Sequence, residues 1–189
     1  MIEAMAEMPV VLTIGHSTHP LDKFIHLLQT HTVARVVDVR TIPRSRRYPQ
    51  FNRGALWHSL NTAGITYTHL RGLGGLRPPQ ADSLNTGWRD ASFQGFADYM
   101  QTPDFAENLQ TLLELAQVER VALMCAEAVP WRCHRLLIAD ALVIRSIQVE
   151  HIMSVKRTYI HSLTSWAKVS GAHITYPAET ASSNETASE

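Results

Sequence analysis

Cysteine is scarce in this sequence: among 189 residues there are two, Cys125 and Cys133. Two cannot build a secreted disulfide framework, so a reducing cytoplasm is the expected compartment. No apolar run approaches the ~18 residues that a membrane span requires, so no membrane partner is expected. Net charge is also missing, since 17 Lys and Arg balance 17 Asp and Glu. That excludes a surface given over wholly to a polyanion and leaves room for a local basic patch. The first nine residues, MIEAMAEMP, hold no basic residue and read as a flexible N-terminus, not a targeting peptide. Residues 177–189, PAETASSNETASE, lack large apolar groups and read as a disordered acidic tail. What remains, residues 10–170, suits one globular domain, with 45% hydrophobic and 18% charged residues over the chain.

Within that span apolar runs alternate with helical patterns. VVLTIG (10–15), VARVVDVR (33–40), ITYTHL (65–70), RVALMCAE (120–127) and VEHIMS (149–154) read as five buried strands. HPLDKFIHLLQTH places Leu21, Phe24, Ile25 and Leu28 on one helical face. Asn52 can cap a helix over RGALWHSLNTAG that Gly64 ends. FQGFADYM and PDFAENLQTLLELAQ read as helices split by the Thr102-Pro103 start signal, and CHRLLIADALVIRSI as a buried helix. A last amphipathic helix is expected to carry Tyr159, Leu163, Trp166 and Ala167. The alternation predicts an α/β three-layer sandwich: a mainly parallel sheet of about five strands with helices on both faces.

In open sheets of this kind, ligands bind outside the carboxyl ends of the strands. Those ends carry Gly15-His16-Ser17, Asp38-Val39-Arg40, His69 and Arg71, and Cys125-Ala126-Glu127. Charged groups beside a sheet are costly unless paired, and functional sites are where they accumulate. Here Gly15 permits close backbone approach, and Ser17 and His16 offer hydrogen bonds. His16, Asp38, Glu127 and Cys133 are the catalytic candidates, for proton transfer and for nucleophilic attack. Arg40, Arg44, Arg46, Arg47 and Arg53 form a lysine-free run stiffened by Pro43 and Pro49. Their guanidinium forks suit phosphate or carboxylate, and Tyr48, Phe51 and Trp57 stand near enough to stack on bases. Gly15, Ser17, Arg40, Arg44, Arg46, His134 and Arg135 are accordingly the anion-binding set. RGLGGLR matches no phosphate-loop pattern, and its glycines fit a tight loop.

The segment MCAEAVPWRCHR (124–135) admits three chemistries. A helix beginning at Cys133-His134-Arg135 would bind an anion, with Arg132 or Arg135 assisting, and would favour a thiolate. The segment is similar to phosphatase and rhodanese cradles, but those phosphatases use C-x5-R and six residues separate Cys125 from Arg132. Cys125, Cys133 and His134, with His16, are metal-ligand candidates, although C-x7-C-H fits no common zinc spacing. The two thiols also span one loop and can come within disulfide reach, without a C-x-x-C motif. No cofactor is implied by any motif.

TIGHSTHPLDKFIHLL, VVDVRTIPRSRRYPQFNRGAL, GITYTHLRGLGG, FADYM and LMCAEAVPWRCHRLLIADAL together resemble the domain-of-unknown-function family 488, DUF488, over about residues 10–155. The GHS, D-V-R-x-x-P-x-S-R and C-A-E…C-H-R motifs stand intact. The resemblance implies a cytoplasmic bacterial or archaeal protein with an α/β fold, and no particular reaction. From the residues, the expected function is an enzyme acting on a phosphorylated or nucleotide-like ligand. The alternatives are a nucleic-acid or nucleotide-binding module using the arginine loop 40–53, and a metal- or thiol-dependent binding protein.

Overall fold

The computed structural model describes residues 9–178. The expectations of a flexible N-terminus and of an acidic tail fall, except at their inner ends, outside the described residues. Five strands run parallel: β1 (Val10–Gly15), β2 (Arg35–Asp38), β3 (Thr66–His69), β4 (Val121–Cys125) and β5 (Gln148–Ser154). A sixth, β6 (Arg157–Ile160), runs antiparallel to β5. The order across the sheet is β3-β2-β4-β1-β5-β6.

Side chains alternate between the two faces, as strand geometry dictates. Val11, Val37, Val39, Leu123 and Cys125 pack on one face, against helices α3 (Ala91–Tyr99), α4 (Pro103–Val118) and α5 (Arg135–Val143). Leu12, Ile14, Val36, Ala122 and Met124 pack on the other, against α1 (Leu21–Thr30) and α2 (Arg53–Thr62). The result is the three-layer α/β sandwich expected from the alternation. Thr102 caps α4 by accepting from the Phe105 N–H. Asn52 stands at the start of α2 without capping it; its Oδ1 accepts the Ser45 N–H at 2.6 Å instead and so ties down the arginine loop. Among the described residues no helix is long and apolar enough to cross a membrane.

Two elements differ from expectation. The last helix does not form: Thr158, Tyr159 and Ile160 extend the sheet as β6, and Trp166 leads into a hairpin of β7 (Lys168–Ser170) and β8 (His173–Thr175). Gly171, at φ 60°, supplies the left-handed residue of the two-residue turn. Packing continues beyond residue 170, where Ile174 and Tyr176 are buried. Secondly, α5 starts at Arg135, not at Cys133, because Pro130–Arg132 forms a 3-10 turn that leaves Cys133 extended.

The crossing from β1 to β2 passes the place of β4, and the crossing from β4 to β5 passes β1 in the opposite sense. The carboxyl ends of β1 and β4, with Gly15 opposite Cys125, therefore form the switch point at which such sheets open a crevice.

Candidate active site

At that crevice the two strand ends are laced together. The His16 N–H donates to the Cys125 carbonyl and the Ser17 N–H to the Ala126 carbonyl, both at 2.9 Å. A Cβ on residue 15 would overlap the Glu127 carbonyl, so only glycine lets the 126–128 segment cross the end of β1. The lacing also holds Ser17 at φ 46°.

Beside this lacing, Asp38 is fully buried and entirely occupied. Arg40 grips it with two bonds, Nε to Oδ1 at 2.9 Å and Nη2 to Oδ2 at 2.6 Å, and the Tyr67 hydroxyl donates to Oδ2 at 2.7 Å. Arg40 Nη2 also reaches the Phe51 carbonyl. Burial first, then the Asp38 charge, pushes the Tyr67 hydroxyl well up. His16 stacks on Phe51 and uses both nitrogens: Nδ1–H donates to the Ser17 carbonyl, and Nε2 accepts from Arg40 Nη1 at 3.3 Å. Burial brings its pKa down to about 4, so the ring is neutral at neutral pH. These residues build the wall of the crevice, and their polar atoms are committed to one another.

The thiols are arranged differently. Cys125 Sγ lies 2.6 Å from Cys133 Sγ, and both cysteines are free. Each sulfur is offered a backbone donor, from Glu127 N–H at 3.4 Å and Arg135 N–H at 3.5 Å respectively. His134 Nε2–H donates to the Val39 carbonyl at 3.0 Å, which turns Nδ1 toward Cys133 Sγ at 3.6 Å. Burial lowers the His134 pKa, leaving Nδ1 an acceptor. Burial pushes the Cys133 thiol up, but the hydrogen bond from Cys125 and the Arg135 charge and N–H groups outweigh it, so the thiol titrates below its ordinary range. Cys125 moves the other way, raised first by its bond to Cys133 and then by burial. The two shifts run in opposite senses, so Cys133 is the sulfur that gives up its proton first.

Arg135 shows why a negative charge is needed. It is 1% exposed. The ion pairs among the described residues are Arg35–Glu119 and Arg40–Asp38, and Asp140 is taken by His161 and Tyr176, so no carboxylate meets Arg135. Its Nη2 donates to the Glu127 carbonyl at 2.6 Å and its Nη1 to Thr13 Oγ1 at 3.2 Å, while Nε has no hydrogen-bond partner. A buried cation without a counter-charge costs several kcal/mol, and the two thiols are the groups beside it that can ionise to supply one. Behind Thr13 runs a chain of single-direction hydrogen bonds. The Thr13 hydroxyl donates to His151 Nδ1, His151 Nε2–H to His161 Nδ1, and His161 Nε2–H to Asp140, which also accepts from Tyr176. This chain fixes the Thr13 oxygen as an acceptor for Arg135.

Two hollows open on the crevice. One, about 350 Å³, has Cys125, Cys133 and His134 beside Thr41, Ile42, Gly75, Leu76, Phe93 and Arg132. The other holds His16, Ser17, Arg44 and Arg47. Arg40, Ile42, Ala126 and Glu127 border both. Of the residues singled out from the sequence, Gly15, His16, Ser17, Asp38, Arg40, Cys125, Glu127, Cys133, His134 and Arg135 gather here. Arg44 lies at the rim, and Arg46 is exposed and borders neither hollow. Among the described residues no group of three or more His, Cys, Asp or Glu side chains is placed to hold a metal ion. The long loop after Arg71 is tied down: Asp98 accepts from Gln80, Ser83 and Asn85, and Arg77 lies 3.6 Å over the Tyr99 ring. Its Gly75 is a fixed wall, since a Cβ there would stand 2.5 Å from His134 Nδ1. Sequence reasoning missed Tyr67 and the Thr13–His151–His161–Asp140 chain. It also missed His134 as the partner of Cys133, for which the adjacent Cys-His pair was the available signal.

A family model described as "Domain of unknown function DUF488" matches residues 20–142, well over half of the chain. No curated protein and no solved structure matches the sequence.

Proposed function

The chain belongs to the DUF488 family, whose description assigns no reaction, and we propose that it is a thiol-dependent enzyme with Cys133 as nucleophile and a small anionic molecule as substrate. The observation that carries this reading is the buried Arg135 guanidinium, which has the Cys133–Cys125 pair and no carboxylate for a counter-charge. A thiolate held this way is the reactive form of cysteine. His134, oriented by the Val39 carbonyl, accepts the Cys133 proton when the thiol is protonated. Glu127, exposed between the two hollows, is the acid-base group nearest a bound substrate. Arg132, Arg44 and Arg47 attract the anion, whether phosphate or carboxylate. Arg40 and Asp38 are spent on each other and support the wall. A cytoplasmic location belongs to the same reading, because a reducing compartment keeps both thiols free.

Charge-selective alkylation tests it. Iodoacetate, relative to iodoacetamide, is expected to label Cys133 about fivefold faster than the same ratio at a free thiol, the effect of roughly 1 kcal/mol of charge attraction. Arg132→Ala combined with Arg44→Ala should abolish that preference and spare the iodoacetamide rate. Equal ratios in parent and variant would remove the anionic substrate. A second reading, nucleic-acid binding, is favoured by exposed Arg46, Arg47 and Arg53 beside Trp57, which is 52% exposed. Steep salt dependence of binding to single-stranded DNA, weakened by Arg46→Ala, would mark it.

A further inference from the structure

We propose that Cys125 is the resolving thiol of a dithiol–disulfide couple, through which the molecule passes two electrons to a small disulfide bearing carboxylate groups. This rests on the reading of Cys133 as nucleophile and names the substrate class of the same site.

A cysteine at the end of a buried strand is ordinarily a small apolar filler. Cys125 departs from that role in three ways. Its sulfur lies 2.6 Å from the sulfur of Cys133, which is close to the ~2.05 Å of a formed bond. It borders the hollow, so a group attached to Cys133 stands within its reach. And the loop between the cysteines is already closed, by Arg135 on the Glu127 carbonyl and by the Cys133 N–H on the Pro130 carbonyl. Joining the sulfurs therefore orders little that is not ordered already. The hollow, at about 350 Å³, suits a small molecule. Ile42, Leu76 and Phe93 give it apolar walls, and Arg132, beside the exposed Glu127, gives it a cation that no carboxylate pairs among the described residues.

In the first step the Cys133 thiolate attacks one sulfur of R–S–S–R′. The Cys133–SR bond forms, the substrate S–S bond breaks, and R′S⁻ leaves and takes a proton from solvent. Cys133 is then neutral, and the negative charge that held the proton on Cys125 is gone. Cys125 passes that proton to solvent. Its thiolate attacks Cys133 Sγ, the Cys125–Cys133 bond forms, the Cys133–SR bond breaks, and RS⁻ leaves and takes a proton from solvent. The dithiol has lost two electrons, and the substrate has become RSH and R′SH. A reducing dithiol of low molecular weight returns the pair to its starting state.

The test uses the full chain, reduced and desalted without oxygen, with oxidised glutathione as the anionic probe and hydroxyethyl disulfide as the neutral one. Intact and peptide mass spectrometry read the products. The parent protein should lose two hydrogens, link Cys125 to Cys133, release two equivalents of thiol per chain, and revert with dithiothreitol. Cys125→Ser should retain one half of the probe on Cys133, and Cys125→Ala provides the same result should the serine variant not fold. Relative to their rates with free cysteine, the anionic probe should react about fivefold faster than the neutral one. A stable mixed disulfide on the parent protein would overturn the role of Cys125. A faster neutral probe would overturn the substrate class. If iodoacetamide modifies Cys133 but neither disulfide reacts, the couple fails while the nucleophile stands. If no reagent modifies Cys133, the reading beneath it fails as well.

Discussion

Arg135 and Asp38 are both charges taken out of water, and the fold compensates them in different ways. Asp38 receives an arginine fork and a tyrosine hydroxyl, which completes a closed structural group. Arg135 receives a carbonyl and a hydroxyl and has two thiols beside it, which leaves the charge compensation on groups able to react. The sequence alone places Asp38 and Cys133 side by side among catalytic candidates, because it shows that an ionisable group stands at a strand end but not which partner it meets. The distinction is testable at Asp38. Asp38→Asn leaves the Arg40 charge buried and unpaired, and should cost about 3–5 kcal/mol in urea unfolding, while the folded fraction still alkylates at Cys133. A variant as stable as the parent would return Asp38 to the acid-base candidates.

Among the elements, β1 to β5 and α1 to α4 were legible because their signals are local: β-branched runs, a 3.6-residue apolar stripe, and the Thr102-Pro103 start. The failures have physical causes too. Tyr159, Leu163, Trp166 and Ala167 share a helical spacing, yet the β-formers Thr158, Tyr159 and Ile160 gain more by pairing with the open edge of β5. Gly171, just beyond the residues assigned to that helix, was the overlooked mark of a hairpin turn. The displaced start of α5 matters most for the site. Because Pro130–Arg132 turns first, the Arg135 N–H remains a free first-turn donor and points at Cys133 Sγ. The C-x7-C spacing could not reveal that the thiols meet, since their closeness is set by the Arg135 clamp on the Glu127 carbonyl.

Taken whole, the molecule assembles its site from both ends of the chain, with Thr13 and His151 sharing a proton across 138 positions of sequence. No local pattern carries such a contact. The assembly also leaves a pH signature. Burial lowers His16 to about 4 and His151 to about 3, from an ordinary 6.5. Between those values and 6.5 the unfolded chain binds more protons than the folded one. The contribution of these two rings is therefore complete above about 6.5 and is lost as pH drops toward about 4, by on the order of a few kcal/mol. Urea midpoints measured across that range should decline, and a flat profile would place these rings in water. The central claim is that folding turns Cys133 into a thiolate. Its most direct test is the pH dependence of iodoacetamide labelling at Cys133, followed by peptide mass spectrometry in the folded protein and in the same chain unfolded by urea. The folded profile is expected to have its midpoint clearly below that of the unfolded chain, which lies near the ordinary ~8.5 of cysteine, with Cys125 unlabelled until higher pH. A folded midpoint at or above the unfolded one would contradict it.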